Sequence, residues 1–509
     1  MNGNRFGAPL AGALVLYLVF ASLTARCGHI WSNEAWFASP ALTLLHEGYL
    51  GTIIVESKGT WMEGLDRHTY WIPPLHLLLQ AVWYKVFGFG LISMRSLSMA
   101  AGFTLLLAWY WIVARLTASR GIALLAVVIA ATDTRVLTFT ALGPPDSLCA
   151  ALGVLGWMAY LRWRDISLPR AILAGNSLAA ASCLTHPCGE LYAAGLLALT
   201  LYYDRGRLGW RNLAGIGLPY VVAVAAWGVY ILQAPSQFVT QLLGNVPGVG
   251  AEFTGVRRLA GLTSPLAALK REYFLRYGYT FGYWSAERAD RIQLFVLLIY
   301  TIGVAGCALT PSIRKDRGCR ALLLLGALNY VTLAVFDGFK SSGYLLHTLP
   351  LATALLAIYA RFLYSKAGEW PVLHSAVTTV MIAFFAVQAF TLWRSFTYTP
   401  ERQDYDRTLA FLRQAGAPPQ IIAAGEFAFD LGFDTGMVDD WRLGYFSGKR
   451  PPFIVANAIY RGWFIQSATL DPKIHNYMVR LLRDEYHVAF ETPTYTVYQR
   501  RGAGHAHGW

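Results

Sequence analysis

Two carboxylates and one lysine stand beside apolar runs and have the chemistry of a proton acceptor and a phosphate ligand. Glu34 follows the first apolar run, in Trp31-Ser-Asn-Glu-Ala-Trp-Phe. Asp146 follows a Pro-Pro pair that ends one helix, so it begins the next, where the helix dipole favours an anion. Lys340 precedes a late apolar run. Each also has an ordinary interpretation, as an interfacial glutamate, a helix cap and a lysine reaching toward water.

Further polar residues lie near the ends of apolar runs. His347 falls about one helical turn beyond Tyr344, and His186 precedes a proline at the edge of another run. Arg95 and Arg276 stand at positions where an arginine anchors a helix at the membrane interface or contacts an anionic headgroup. The Asp439-Asp440 pair reads as a solvated turn.

The composition is that of a membrane protein. Of 509 residues, 55% are hydrophobic and 14% charged, against about 25% charged residues in soluble domains. The net charge of +13 arises largely from Arg and Lys in short turns between apolar runs, so nucleic-acid binding is excluded. The six cysteines show no zinc spacing and no disulfide framework, so no metal ligands are assigned.

The apolar runs predict about eleven transmembrane helices. They are residues 8–24, 97–113, 121–131 with an extension, 147–161, 171–184, 191–203, 213–232, 292–309, 321–336, 344–360 and 376–392. The run Pro73–Phe87 would be about 22 Å long as a helix, shorter than the ~30 Å hydrocarbon core. It also contains His76, Gln80 and Lys85, so we interpret it as an amphipathic helix at the interface.

Basic residues set the orientation. With eleven spans, the arginines and lysines near residues 115–120, 162–170, 205–211 and 314–320 share one side, which is cytoplasmic by the positive-inside rule. The N-terminus is then inside and the C-terminus outside. Residues 26–96 form a first outer loop that carries amphipathic helices. Glu34, Asp146 and Lys340 are all expected on the outer face.

The chain after residue 392 changes character. Residues 420–424 and 453–456 resemble short strands, 406–414 and 474–483 resemble helices, and 486–500 resembles a closing hairpin. We therefore expect an all-α transmembrane domain at residues 1–392 and a small soluble α/β domain at residues 393–509, outside the cytoplasm.

The order of these motifs resembles a known family. An acidic motif after the first helix, a Pro-Pro-Leu helix, Arg95 before Ser-Leu-Ser, a Pro-Asp in the second outer loop and Lys340…Tyr344…Leu-Pro fit it. Together they resemble the GT-C membrane glycosyltransferases, in the branch of the protein O-mannosyltransferases and the aminoarabinose transferases. The likeness covers nearly the whole chain and implies a GT-C catalytic domain.

The resemblance implies an inverting hexosyl- or pentosyltransferase that uses a polyprenyl-phosphate sugar and a hydroxyl acceptor on lipid, glycan or protein. Glu34 and Asp146 match the catalytic acidic positions. Lys340 lies near the phosphate-binding basic residue, and Arg95, Tyr344 and His347 are further candidate phosphate ligands. His186 is an additional candidate. Asn33 replaces the first acid of the usual Asp-Glu pair, and the arginine often found shortly before the second Asp is missing from the Gly143-Pro-Pro run.

Other functions and cofactors stay open. A transporter or flippase of a lipid-linked sugar, and a glycolipid-binding relative without activity, are the alternatives. No cofactor is required, although Mg²⁺ or Mn²⁺ could bridge Glu34 and Asp146. The expected location is the bacterial inner membrane as a multi-pass protein, surrounded by membrane lipids.

Overall fold

The computed structural model describes residues 7–245, 260–369, 371–416, 420–434 and 436–502. Contacts divide the chain into two units, each built from separate segments. The first unit contains residues 1–26, 95–230 and 256–397, and the second contains residues 27–94, 231–255 and 398–509. The tail thus groups with the segment after the first helix, and the predicted domain boundary at 392/393 stays a prediction.

The first unit is helical. Its helices are Gly7–Cys27, Leu91–Thr117 (which begins in the second unit), Arg120–Thr132, Thr134–Ala141, Asp146–Trp163, Leu168–Cys183, Gly189–Asp204, Trp210–Ile231, Ala260–Thr263, Pro265–Arg271, Arg288–Arg291, Gln293–Leu309, Pro311–Arg314, Arg317–Phe336, Leu349–Lys366 and Pro371–Thr397. A π-helix at Glu272–Gly278 and a 3₁₀ helix at Ser342–His347 precede two of the long helices.

Six helical segments among the described residues are long and apolar enough to cross a membrane. They are Gly7–Cys27, Leu91–Thr117, Trp210–Ile231, Arg288–Leu309, Arg317–Phe336 and Pro371–Gln414. The bent pair Arg120–Thr132 and Thr134–Ala141 raises this number to seven if it is one span. The chain therefore has the apolar helices of a multi-pass membrane protein. The count of eleven spans and their orientation remain predictions, since the other four predicted spans correspond to helices of 16–18 residues.

A buried aspartate explains the 67° bend between Arg120–Thr132 and Thr134–Ala141. Asp133 Oδ1 accepts the amides of Arg135 and Val136 and so begins the second helix. Its Oδ2 accepts the Tyr300 hydroxyl and the Gln388 amide, both at 2.8 Å. These polar partners inside the unit stabilise the break, whereas the sequence predicts only a span at residues 121–131 with an extension.

The amphipathic helix predicted at residues 73–87 is present at Leu75–Phe87, in the second unit. Its 13 residues span only about 20 Å. Leu78, Val82 and Val86 are exposed on one side, whereas His76 and Gln80 are buried. The exposed side is therefore mainly apolar, although Lys85 is also exposed, whereas the buried side carries His76 and Gln80 among apolar residues.

The second unit contains a five-stranded mixed sheet. Its helices are Ser32–Glu47, Leu75–Phe87, Pro235–Asn245, Pro400–Gln414, Ala428–Leu431, Ala458–Leu470 and Pro472–Glu485. The strands are β1 (Ile421–Ala423), β2 (Met437–Val438), β3 (Phe453–Ala456), β4 (Tyr486–Glu491) and β5 (Thr496–Arg500), in the order β2-β1-β3-β5-β4. β1 pairs in parallel with β2 and β3, and β5 runs antiparallel to β3 and β4. The expectation of a small C-terminal sheet with helices is confirmed.

Candidate active site

Asp146 begins the helix Asp146–Trp163, as the preceding Pro-Pro pair predicts. The side chain is largely buried, with 8% of the residue exposed. Its Oδ1 lies 3.4 Å from Nε2 of His347. The positive end of the helix dipole favours a negative charge at Asp146.

His347 is held between two partners at the end of the 3₁₀ helix Ser342–His347. Its Nδ1 is 2.9 Å from the Tyr192 hydroxyl, while its Nε2 faces Asp146. Asn329 donates to the His347 carbonyl at 2.9 Å, which fixes the backbone. Tyr192 packs on Gly153 so closely that a Cβ there would lie 2.0 Å from the ring. The imidazole therefore has a defined orientation toward the carboxylate.

His186 and Tyr344 complete this cluster. His186 lies in the turn between the helices Leu168–Cys183 and Gly189–Asp204, and its Nδ1 accepts the Cys188 amide at 3.2 Å. Its ring is 5.4 Å from the ring of Tyr344, which is 6.3 Å from that of His347. The structure thus brings together four residues singled out from the sequence: Asp146, His186, Tyr344 and His347.

Lys340 is buried against the end of the helix Arg317–Phe336. Its ammonium donates to the carbonyls of Leu333 and Ala334, at 3.1 and 2.7 Å, and lies 3.0 Å from Oε2 of Glu272. Burial lowers the pKa of Lys340 below 10.5, while the Glu272 carboxylate acts in the opposite direction. Three acceptors match the three N–H groups, so a donor phosphate would have to replace one of them. Its phosphate role remains a prediction.

Arg276 is an internal residue of the first unit, and the expectation of an interfacial arginine is wrong. Its side chain is fully buried, with Nε 2.5 Å from Oε1 of Glu272 and Nη2 2.7 Å from Asp337. Nη1 donates to the Ser341 carbonyl, and the guanidinium carbon is 5.4 Å from the centre of the Tyr344 ring. The cluster therefore joins Lys340 to Tyr344. The sequence does hint at this ion pair, because Glu272 and Arg276 are four residues apart and would be neighbours on a helix.

Arg95 lies near the beginning of the helix Leu91–Thr117 and is fully buried. It donates to the Ala25 carbonyl near the end of the first helix, at 2.6 Å. One turn later, the Ser98 carbonyl accepts the hydroxyl of Ser147, the neighbour of Asp146, at 2.7 Å. Arg95 therefore lies where three helices are joined by hydrogen bonds, and its contact with a donor phosphate remains a prediction.

Glu34 belongs to the second unit, in the helix Ser32–Glu47. It is fully buried, and its Oε2 accepts the Trp31 amide at 3.0 Å. The ordinary function of a glutamate at this position, closing the N-terminus of its own helix, is therefore present. The catalytic function of Glu34 remains a prediction.

Two buried carboxylates attach the Glu34 helix to the sheet of the second unit. Asp439 accepts Nε1 of Trp36 at 2.9 Å, the Gly425 amide at 3.0 Å and the Tyr460 hydroxyl at 2.8 Å. Glu426 accepts the hydroxyls of Ser32 and Tyr495 and the amide of Asn457. Asp439, Glu426 and Asp440 are all almost completely inaccessible, so the expectation that Asp439 and Asp440 form a solvated turn is wrong.

The second unit is expected to lose stability as the pH rises through about 7. Burial, with the nearby charge of Glu426, raises the pKa of Asp439 from 3.8 to about 7. The folded chain therefore binds this proton more tightly than the unfolded chain. The resulting contribution to the free energy of unfolding is complete below pH 3.8 and disappears above about pH 7. Between these values the free energy of unfolding falls by at most ~1.4 kcal/mol per pH unit.

Hydrogen exchange of β1 and β3 in the full-length protein, corrected for the intrinsic effect of pH, measures this slope. Asp439→Asn should flatten it, and Asp434→Asn, an exposed control, should leave it unchanged. An unchanged slope in Asp439→Asn would contradict the assignment.

One group of potential metal ligands occurs among the described residues. Cys149, His186 and His347 each offer one ligand atom, and these atoms lie within 4.8 Å of one another. The sequence alone does not reveal this group, because the residues are distant in the chain. Glu34 and Asp146, the pair considered for Mg²⁺ or Mn²⁺, lie in different units.

Comparison with known proteins identifies the fold. No family model matches the chain, and no curated protein matches it in sequence. The structure is similar to ArnT from Cupriavidus metallidurans, solved bound to undecaprenyl phosphate, with a TM-score of 0.60, 13% identity and 99% of both chains covered. The chain has the GT-C fold.

A second GT-C structure agrees with this. The oligosaccharyltransferase of Archaeoglobus fulgidus matches with a TM-score of 0.55 and 11% identity, over 98% of this chain and 75% of that protein. The GT-C resemblance inferred from the order of the motifs is thus confirmed at the level of the fold.

Proposed function

We propose that the protein is an inverting glycosyltransferase that moves a sugar from a polyprenyl-phosphate carrier to a hydroxyl acceptor on the non-cytoplasmic side of the membrane. The observation that carries the proposal is the cluster of Asp146, His347, His186 and Tyr344 in a chain with the GT-C fold. The ArnT structure with undecaprenyl phosphate supports this class of carrier.

The reaction needs a proton acceptor and a stabilised leaving group. The acceptor oxygen attacks the anomeric carbon while its proton passes to a carboxylate, for which Glu34 and Asp146 are the candidates. The bond from the anomeric carbon to the phosphate oxygen breaks, and the electron pair leaves with the carrier phosphate. A phosphate leaving group needs positive charge or hydrogen-bond donors rather than an acid.

Side chains near the end of the helix Arg317–Phe336 could provide those donors. Tyr344 and His347 belong to the Asp146 cluster, and Arg276 lies against the Tyr344 ring. Lys340 would contribute if the phosphate replaced its contact with Glu272. We also propose Arg95 as a phosphate ligand, and residues 393–509 as an extracytoplasmic domain that assists acceptor binding.

The test compares envelope lipids and glycans from cells with and without the gene by mass spectrometry. We expect one class of molecule to lack a single hexose or pentose in the deletion strain and to regain it with the wild-type gene. Purified full-length protein should then release polyprenyl phosphate only with the acceptor present, and NMR should show inversion at the anomeric carbon. Identical envelopes in both strains, or carrier movement without sugar transfer, would contradict the proposal.

A further inference from the structure

Two buried polar atoms face each other in the Asp146 cluster without a hydrogen-bond partner. They are Oδ1 of Asp146 and Nε2 of His347, separated by 3.4 Å. His347 is 2% exposed, so water cannot readily satisfy these atoms. An oxygen and a nitrogen that each present a lone pair repel one another unless a proton or a cation lies between them. This pair therefore has the polarity of an incomplete cation site.

Two further potential ligands lie near His347. Cys149 is one turn after Asp146 on the same helix, and His186 belongs to the neighbouring turn. The ligand atoms of Cys149, His186 and His347 are within 4.8 Å of one another. Tetrahedral Zn²⁺, with bonds of about 2.0–2.3 Å, separates its ligands by about 3.3–3.8 Å. The Asp146–His347 distance already has this value, and the ligand atoms of Cys149, His186 and His347 need to approach one another by up to about 1–1.5 Å.

We propose that Cys149, His186 and His347 bind a Zn²⁺ ion, with the Asp146 carboxylate, which faces His347, moving in as the fourth ligand. The donor set decides the metal. Thiolate and imidazole are typical ligands of Zn²⁺, whereas Mg²⁺ and Mn²⁺ prefer oxygen. This site differs from a carboxylate bridge, and it concerns ion binding alone, so it does not depend on the proposed transfer reaction.

The surroundings already contain partners that orient such ligands. The Ser182 hydroxyl lies 3.2 Å from Sγ of Cys149; it donates to the Cys149 carbonyl at 2.8 Å and would have to turn to donate to a thiolate. The Tyr192 hydroxyl, 2.9 Å from Nδ1 of His347, can accept its N–H and leave Nε2 for the metal. Zinc-binding histidines usually donate their second N–H in this way.

A hydrogen bond of His186 opposes the site. The Cys188 amide donates to Nδ1 of His186 at 3.2 Å, which leaves the proton of a neutral ring on Nε2. Coordination through Nε2 requires the proton to move to Nδ1 and the amide bond to break. Losing one neutral hydrogen bond lowers affinity by about tenfold. Structural zinc sites have dissociation constants on the order of 10⁻⁷ M or tighter, so Zn²⁺ would still bind after a tenfold loss of affinity.

Co²⁺ is a spectroscopic probe for this site because a cobalt–thiolate bond absorbs strongly. Full-length protein in detergent is treated with a chelator and titrated with Co²⁺, followed by competition with Zn²⁺. We expect about one ion per chain, a thiolate-to-Co²⁺ charge-transfer band and its loss on addition of Zn²⁺. Cys149→Ser should abolish the band and weaken Zn²⁺ binding by at least about 100-fold.

Cys188→Ser is the matched control, because Cys188 is also buried and lies two residues from His186 but is outside the ligand set. It should keep both the band and the affinity. His186→Ala alters a half-buried turn residue and should weaken Zn²⁺ binding even if Cys149→Ser fails to fold. The proposal is overturned if the wild type binds no Co²⁺ at micromolar concentration, or if the band persists in Cys149→Ser. Because the readout is ion binding, failure of sugar transfer leaves this result unaffected.

Discussion

Asp146→Asn is expected to lower the rate of sugar transfer by about 10²–10⁴-fold while the protein still inserts and folds. The substitution keeps the shape of the side chain and removes the negative charge that faces His347 at the start of a helix. General-base assistance in enzymes is worth this factor. Loss of a metal ligand at the same position would act in the same direction. The measurement is release of polyprenyl phosphate by the purified protein under single-turnover conditions.

Glu190→Gln is the control for this experiment. Glu190 lies in the first turn of the helix Gly189–Asp204, so it shares the helix-terminal position of Asp146 but is exposed. Its substitution should change the rate less than twofold. Full activity in Asp146→Asn, or an equal loss in Glu190→Gln, would remove Asp146 from the reaction.

Glu34→Gln distinguishes between the two candidate bases. The amide oxygen of Gln can still accept the Trp31 amide, so the helix cap is retained. If Glu34 takes the proton, kcat/KM of this variant should no longer fall as the pH is lowered, because the base that becomes protonated is absent. If Asp146 takes the proton, Glu34→Gln should keep that dependence and Asp146→Asn should lose it.

The helices and the tail could be predicted from local patterns. The Pro-Pro pair determines where the helix Asp146–Trp163 begins, because proline cannot continue the preceding helix. Strand β3 was predicted at its observed bounds, since a short β-branched and aromatic run has a strong preference for a buried strand. Strand β2 contains two residues, Met437 and Val438, which is too short for any period to be visible.

The partners of the site residues could not be predicted in the same way. The Tyr192–His347 contact joins residues 155 positions apart. Cys149, in the first turns of one helix, lies close to His186, in the turn between two others. Such contacts depend on helix packing, for example on the absence of a side chain at Gly153, rather than on local sequence. The sequence likewise places Lys340 near a helix end, but its hydrogen bonds to Leu333 and Ala334 follow from the path of the backbone.

Arg276→Met is expected to destabilise the first unit by about 3–5 kcal/mol. The substitution leaves the carboxylates of Glu272 and Asp337 with only Lys340 as a cation, and Glu272 is completely buried. Breaking a buried ion pair costs this amount because one charge stays in a medium that solvates it poorly. The measurement is the unfolding free energy of the full-length protein in mixed micelles.

A double substitution separates this electrostatic effect from lost packing. In Glu272→Gln with Arg276→Met, the remaining Asp337 and Lys340 charges balance, so part of the stability should return, with a coupling of about 0.5–3 kcal/mol. Arg271→Met changes an exposed arginine of the same segment and should alter stability by less than about 0.5 kcal/mol. If instead the double variant is as unstable as the sum of the single ones, the four charges do not act as a unit. Arg276 would then stabilise the first unit through its contacts with Tyr344 and the Ser341 carbonyl alone.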